Sequence, residues 1–273
     1  MKIIALILLI LIAFIIFYIF SLRGRVGFAD WSQFRGYYYA HRGLHNKTNV
    51  PENSLEAFRR AVDKGYGIEF DVHLLSDGEL AIIHDSSLLR TAGVDVKVED
   101  LKSEDLKNYF LEGTAETIPT LEKTLSLVDG KTPLIIELKT SGNNVNDLCE
   151  RVYETLKEYS GAYCIESFDP RCLYWFYKNK PEVIRGQLSE NYYKSKTTKA
   201  PFVLKFLMTG LFTNFLTRPD FIAYKFSDRA TISNKICTKV WKMQSVGWTI
   251  TDENDINKAK LENVFPIFED IYP

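Results

Sequence analysis

Every residue from Ile3 to Phe20 is apolar apart from the phenolic oxygen of Tyr18, and this run of 18 meets the length a helix needs to cross a bilayer. A secretory signal peptide would carry a shorter apolar stretch and a small-x-small cleavage site. Ser21-Leu22-Arg23-Gly24-Arg25 offers no such site. The pattern predicts an uncleaved transmembrane anchor with its flank over residues 1–25, followed by one domain over residues 26–273. Lys2 and the α-amine on one side nearly balance Arg23 and Arg25 on the other, so the positive-inside rule assigns the domain to neither face of the membrane.

Beyond the anchor the period changes. Short apolar, β-branched or aromatic runs at Tyr37–His41, Gly67–Leu74, Leu134–Leu138, Ala162–Phe168, Val183–Leu188, Phe221–Phe226, Val246–Thr251 and Phe265–Phe268 predict eight strands buried on both faces. Helical patterns lie between them at Ser54–Lys64, Leu121–Val128, Val145–Tyr159 and Asp252–Leu261, with Asn53 and Thr120 as expected caps for the first two. A ninth run, Glu79–His84, follows Ser76-Asp77-Gly78, a hairpin signal that predicts an antiparallel addition to the second strand. Eight strands alternating with helices over about 240 residues predict a TIM (β/α)₈ barrel after one N-terminal transmembrane helix, with a doubly wound open sheet as the alternative.

Charge and cysteine content narrow the partners. A formal net charge of -1 and the lack of any long basic run give no reason to expect nucleic acid. Cys149, Cys164, Cys172 and Cys237 form no C-x-x-C pair and read as small buried thiols.

The candidate chemistry sits on the strands. Glu69 and Asp71 are two apart, so one face of their strand carries both carboxylates while Ile68, Phe70 and Val72 take the other. Glu137 and Lys139 repeat the theme on a strand otherwise too apolar for the surface. Three carboxylates converging at strand C-termini would make an oxygen-rich pocket for one hard divalent cation, Mg²⁺ or Ca²⁺. His41 closes the first strand and His84 ends the hairpin run; with an acidic metal site they supply the base and the acid of phosphodiester hydrolysis. Arg42 adds a planar fork for phosphate oxygens. His73 continues the Glu69 and Asp71 face as a supporting or pocket-lining residue, and His45 is expected to be a solvated loop histidine.

The blocks His41-Arg42-Gly43, Pro51-Glu52-Asn53-Ser54, Glu69-Phe70-Asp71-Val72, Asp77-Gly78, His84-Asp85, Arg90-Thr91, Ile118-Pro119-Thr120-Leu121-Glu122 and Ile136-Glu137-Leu138-Lys139 resemble the signature of the glycerophosphodiester phosphodiesterase family in order and spacing. Glu166-Ser167-Phe168 and Trp248-Thr249 fit the same pattern, and the resemblance runs from about His41 to Thr249. It implies a TIM barrel, a divalent cation held by Glu69, Asp71 and Glu137, acid/base histidines at His41 and His84, and a phosphate site lined or supported by Arg42, Glu52 and Lys139, with Trp248 near the pocket. Two departures stand out. The family's Thr-Asp-Tyr-Pro-like final turn is here Phe268-Glu269-Asp270-Ile271-Tyr272-Pro273, and the asparagine after Trp-Thr-x is Thr251.

The reading is therefore metal-dependent hydrolysis of a glycerophosphodiester or a lysophospholipid to glycerol 3-phosphate or a lysophosphatidic acid plus an alcohol. The alternatives are a phosphoinositide- or sphingomyelin-type phospholipase on a related barrel, or a catalytically inactive membrane-tethered binding barrel. Ala200–Thr217 is expected to be one helix with Leu204, Leu207, Met208, Leu211, Phe212 and Phe215 on one face. Its off-face Phe202, Phe206 and Leu216, with Lys199, Lys205 and Arg218 nearby, suit contact with a membrane interface.

Overall fold

A computed structural model describes residues 2–195 and 199–273. The strands are β1 (Tyr39–His41), β2 (Gly67–Leu74), β3 (Leu80–Ile82), β4 (Leu134–Leu138), β5 (Tyr163–Ser167), β6 (Arg185–Ser189), β7 (Phe221–Lys225), β8 (Gln244–Ile250) and β9 (Val264–Phe268). The helices are α1 (Lys2–Ser21), α2 (Leu55–Asp63), α3 (Leu89–Ala92), α4 (Leu121–Val128), α5 (Val145–Leu156), α6 (Pro170–Asn179), α7 (Phe202–Thr209), α8 (Asn214–Thr217), α9 (Ile232–Lys235) and α10 (Glu253–Glu262). All strands but β3 are parallel and pair in the order β1-β2-β4-β5-β6-β7-β8-β9, and β1 hydrogen-bonds to β9 as well as β2, so the sheet closes as a TIM barrel. The unusual final turn does not open it. As the Asp-Gly signal requires, β3 runs antiparallel to β2.

Alternation along the strands divides the interior from the helical layer. Ile68, Phe70, Val72, Leu134, Ile136 and Leu138 face outward and are buried against Phe58 of α2, Leu121 and Leu125 of α4, and Leu148 and Val152 of α5. Inside, the lower half of the barrel is a solid apolar plug of Tyr39, Ile135, Cys164, Phe221, Val246, Phe265 and Ile267. Gly67 and Gly186 make room for the largest rings: a Cβ on Gly186 would lie 2.1 Å from the Phe221 ring, and one on Gly67 would lie 2.6 Å from Tyr39. All four cysteines are buried free thiols, as expected.

Caps explain where several helices begin. Ser54 rather than Asn53 caps α2, its hydroxyl accepting from the Ala57 N–H, while the Asn53 amide is used at the site described below. Thr120 caps α4 as expected, and Asp252 caps α10.

The leader from Leu22 to Phe34 is part of the barrel. Leu22 is buried among Leu211, Ile222, Tyr224 and Met243. Arg25 bonds the carbonyls of Pro181 and Val183 and pairs with Asp220 at 2.5 Å. Trp31 then packs edge-on against Phe34, Phe221 and Phe265, sealing the N-terminal end of the strands. The hydroxyl of Tyr39 donates to the Phe34 carbonyl at 2.9 Å.

The segment 200–217 is not one helix. Leu211 takes a left-handed backbone conformation (φ 55°), which ends α7 at Thr209 and re-aims the chain into the short α8. Leu211 is consequently buried beneath Leu22, whereas no residue of α7 is buried, so the expected single apolar face does not form.

Because Phe34 is only 3% exposed and closes the plug, Phe34→Ala is expected to destabilise the barrel by about 3–5 kcal/mol. Guanidinium unfolding in detergent solution measures this; an unchanged midpoint would mean that the leader merely lies against the barrel.

Candidate active site

Within the barrel, side chains change from apolar to charged from the N-terminal to the C-terminal end of the strands. Ile135 gives way to Glu137, Cys164 to Glu166, and Gly67 to Glu69 and Asp71. Cross-strand register pairs His41 with Glu69 and, one layer nearer the strand C-termini, Asp71 with Glu137 and Glu137 with Glu166. Glu69, Asp71 and Glu137 are all buried, and each offers one oxygen within 4.8 Å of the others.

Two cations are built into the cluster. The Lys139 ammonium spans Asp71 at 3.0 Å and Glu137 at 2.6 Å. The Arg42 guanidinium lies 3.5 Å from Asp71 and 2.8 Å from Glu52, and its backbone N–H donates to Glu69 at 3.1 Å. Arg42 and Asn53 both adopt left-handed backbone conformations, and the Asn53 amide donates to Asp71 at 2.8 Å. Gly43 next to Arg42 has φ 80°, and a Cβ there would lie 2.8 Å from that of Ala57, so this turn tolerates no side chain.

Burial and charge separate the carboxyl groups. Burial alone would raise Asp71, but Lys139, His84, Arg42 and the Asn53 amide outweigh it and hold Asp71 well below its usual value. Glu69 is pushed well above its usual value by burial and by Asp71, Glu166 and Glu137. Glu137 is pushed up to about 7, chiefly by burial, with Lys139 opposing the rise. Glu166 rises for the same reason, and one of its oxygens has no hydrogen-bond partner.

Each of the two expected acid/base histidines is tied at Nδ1 to a carboxylate. His41 Nδ1 is 2.6 Å from Glu269, leaving Nε2 3.9 Å from Glu69. His84 Nδ1 is 2.6 Å from Asp85, and burial lowers its affinity for a proton. Asp85 in turn pairs with Arg90, which also grips Glu52 through both terminal nitrogens at 2.9 and 2.7 Å. His73 is buried, bonded to Glu99 at 2.8 Å and within 3.2 Å of the His84 carbonyl, so it supports the turn that carries His84. A cleft of about 520 Å³ reaches the cluster between Glu137, Lys139, Phe168 and Met208.

The arrangement matches a known group of proteins. The model of the glycerophosphoryl diester phosphodiesterase family matches residues 41–270. The chain belongs to this family. A glycerophosphodiester phosphodiesterase of Bacillus altitudinis is 38% identical over 156 residues, covering 53% of this chain and 63% of that protein. Rattus norvegicus lysophospholipase D GDPD1 is 34% identical over 140 residues, covering 46% of this chain and 43% of that protein. The matched stretch thus spans about half the length of these relatives. An Oleispira antarctica phosphodiesterase, solved in complex with the product sn-glycerol-3-phosphate, shares the fold with a TM-score of 0.68 at 23% identity, covering 86% of this chain and 93% of that one.

Within this family member, His41, Arg42, Glu52, Glu69, Asp71, Glu137 and Lys139 form one connected network, with His84 beside it. Trp248 stands across the barrel, edge-on to Phe168 at 5.5 Å, with its indole N–H donating to the Ala223 carbonyl. His45 is not solvated: its side chain is 10% exposed, with Nε2 3.8 Å from Glu269. The sequence assigned no part in the site to Glu269, Asp85, Arg90 or Glu166, and gave Asn53 only the part of a helix cap. The signal for Glu269 lay in register, because pairing Ala40 with Phe268 carries the next residue, Glu269, beside His41.

The hydrogen bond from His41 outweighs burial and, with His45 and Arg42 nearby, holds Glu269 down at about 2. A depressed carboxylate contributes stability above its unfolded value near 4.3, and that contribution disappears as pH falls toward 2. The stability difference between wild type and Glu269→Gln should therefore be largest above about pH 5 and shrink steadily below pH 4. Guanidinium midpoints of both proteins across this range provide the test, and a pH-independent difference would refute the ionised pairing.

Proposed function

We propose that the chain hydrolyses glycerophosphodiesters or lysophospholipids to glycerol 3-phosphate or a lysophosphatidic acid and an alcohol, with one divalent cation, Mg²⁺ or Ca²⁺. The reading rests chiefly on one observation: three buried carboxylates within 4.8 Å of one another share the barrel mouth with two histidines fixed at Nδ1. The activities for which two relatives are named, glycerophosphodiester phosphodiesterase and lysophospholipase D, support both substrate classes.

The residues fit such an ion. Four carboxylates, Glu69, Asp71, Glu137 and Glu166, face two cations, Arg42 and Lys139, so full ionisation leaves two negative charges and an unpartnered carboxylate oxygen on Glu166. The donors are all oxygen, which suits a hard cation. Glu69, Asp71 and Glu137 would hold it; when bound, it neutralises a non-bridging phosphate oxygen and polarises phosphorus. Arg42, steadied by Glu52, presents its fork to the phosphate, with Lys139 alongside. Nδ1 anchoring leaves Nε2 of each histidine to move a proton. One takes it from the attacking hydroxyl, of water or of the substrate, and the other gives one to the departing alkoxide as the new P–O bond forms and the old one breaks.

In this reading α1 is a single-pass anchor, residues 1–25 being the membrane segment with its flank and 26–273 the catalytic barrel. The burial of Leu22 on the barrel supports retention of the segment, because cleavage after it would uncover Ile222 and Tyr224.

Exhaustive EDTA treatment should abolish turnover of glycerophosphocholine, and Mg²⁺ or Ca²⁺ should restore it. Full activity in metal-free enzyme would sink the metal-dependent reading. His41→Ala and His84→Ala should each lower kcat by roughly 10²-fold or more with an unchanged circular dichroism spectrum. A variant that turns over both alkyl and aryl diesters at wild-type rates would remove that histidine from the proton transfers.

A further inference from the structure

The course of the chain between Tyr18 and Arg25 fixes which end of the barrel α1 leaves from. The Tyr18 hydroxyl donates to the Gly210 carbonyl at 2.9 Å. The neighbouring Thr209 carbonyl accepts from Ser233, and the Met208 carbonyl accepts from Ser189, the last residue of β6. Tyr18 therefore lies level with the C-terminal ends of the strands. Leu22 packs on Ile222 and Tyr224 in the middle of β7. Arg25 bonds Pro219 and Asp220, just before β7 begins. From Tyr18 to Arg25 the chain thus descends the barrel from the catalytic end to the opposite one. The 16 residues Lys2–Phe17 continue from Tyr18 in the other direction as about 24 Å of helix, with Phe14 still beside Phe206 and Ile232.

Helix α7 stands between that projection and the carboxylates. Met208 lines the cleft that reaches Glu137 and Lys139. Phe206 lines a separate apolar groove of about 360 Å³ together with Phe14, Tyr18, Phe212 and Ile232. Ring contacts join Tyr18 to Phe212 and Phe212 to Phe206. The outer surface of α7 is open: Phe202 is 72% exposed and Val203 66%, and Ile232 beside the groove is 74% exposed. A scaffold helix of a barrel buries one face on the strands; α7 buries no residue. The occupant that covers this surface is indicated by its continuity with α1, which is long and apolar enough for a bilayer and is exposed over Lys2–Phe17.

We propose that the barrel is mounted with its catalytic mouth against the bilayer, α7 lying in the interface as the lip over which a single-chain lipid diester passes from the membrane to the carboxylate cluster. This rests on the phosphodiesterase reading for the chemistry, and it names membrane-resident lysophospholipids as the substrate class. The acyl chain stays along Phe202, Phe206 and the groove beside α1, while the headgroup phosphate enters past Met208. The cations assigned to this surface from the sequence divide between the two ends: Lys199 precedes α7 and Lys205 lies within it, but Arg218 bonds the Arg23 carbonyl near the opposite end.

Two measurements on the full-length protein in phosphatidylcholine nanodiscs separate orientation from chemistry. With all four native cysteines buried, environment-sensitive fluorophores can be placed selectively at Phe202→Cys on α7 and at Lys131→Cys, in the turn before β4 at the other end. Brominated lipid should quench the label at 202 and spare the one at 131. Quenching at 131, or none at 202, overturns the orientation whatever the enzyme hydrolyses. Phe202→Ser with Phe206→Ser should raise KM for lysophosphatidylcholine in the nanodisc by about tenfold or more, leaving kcat/KM for soluble glycerophosphocholine unchanged. Parallel changes on both substrates, or none on either, overturn α7 as the lipid path. Failure of the unsubstituted protein to turn over glycerophosphocholine would instead defeat the phosphodiesterase reading, with the quenching result still deciding the orientation.

Discussion

Glu69, Asp71, Glu137 and Glu166 converge, all buried, from three adjacent strands. Two carboxylates 4.8 Å apart repel by about 3 kcal/mol at an effective dielectric near 20, and burial adds a desolvation cost to each. The structure offsets this in three ways. Lys139 bridges Asp71 and Glu137, Arg42 and Asn53 satisfy Asp71, and burial with the remaining repulsion raises the proton affinity of Glu69, Glu137 and Glu166. The turn that carries Arg42 and Asn53 takes left-handed backbone at both residues and needs glycine at position 43. The outer ring of Glu52, Arg90, Asp85 and His84 then holds the cationic side of the site in place. The surrounding architecture follows from concentrating negative charge at one end of a barrel whose other end is filled with aromatic rings.

The alternation of charged and apolar residues made much of this visible from sequence. Glu69 and Asp71 could share a face only if Ile68, Phe70 and Val72 took the other, and the apolar set is what packs under α2, α4 and α5. Period and composition placed every barrel strand within about two residues, because strands buried on both faces read as near-continuous apolar runs. Less legible were residues whose role depends on what the chain brings beside them. Glu269 meets His41 across the seam where the last strand joins the first, a contact between residues 228 apart in sequence. Asn53 resembled a helix cap because it precedes a helix, but Ser54 caps and Asn53 bonds a carboxylate, since the turn puts them on different sides. His45 seemed solvated because it lies in a loop, and the loop folds over Glu269. The single helix expected over 200–217 failed at Leu211, whose burial under Leu22 is supplied by the far N-terminus.

The leader carries a mechanical consequence. Leu22 is fully buried, Arg25 is tied to Asp220 and to two carbonyls, and Trp31 is wedged among aromatic rings, so no slack separates α1 from the barrel. A flexible linker would let a domain tumble relative to the helix before it; here the two are rigidly joined. In a bilayer, a helix tilts to match the thickness of the hydrocarbon layer. With the barrel mounted as proposed above, it would tip by the same angle, and the thickness of the membrane would become a setting for how squarely the mouth meets its surface.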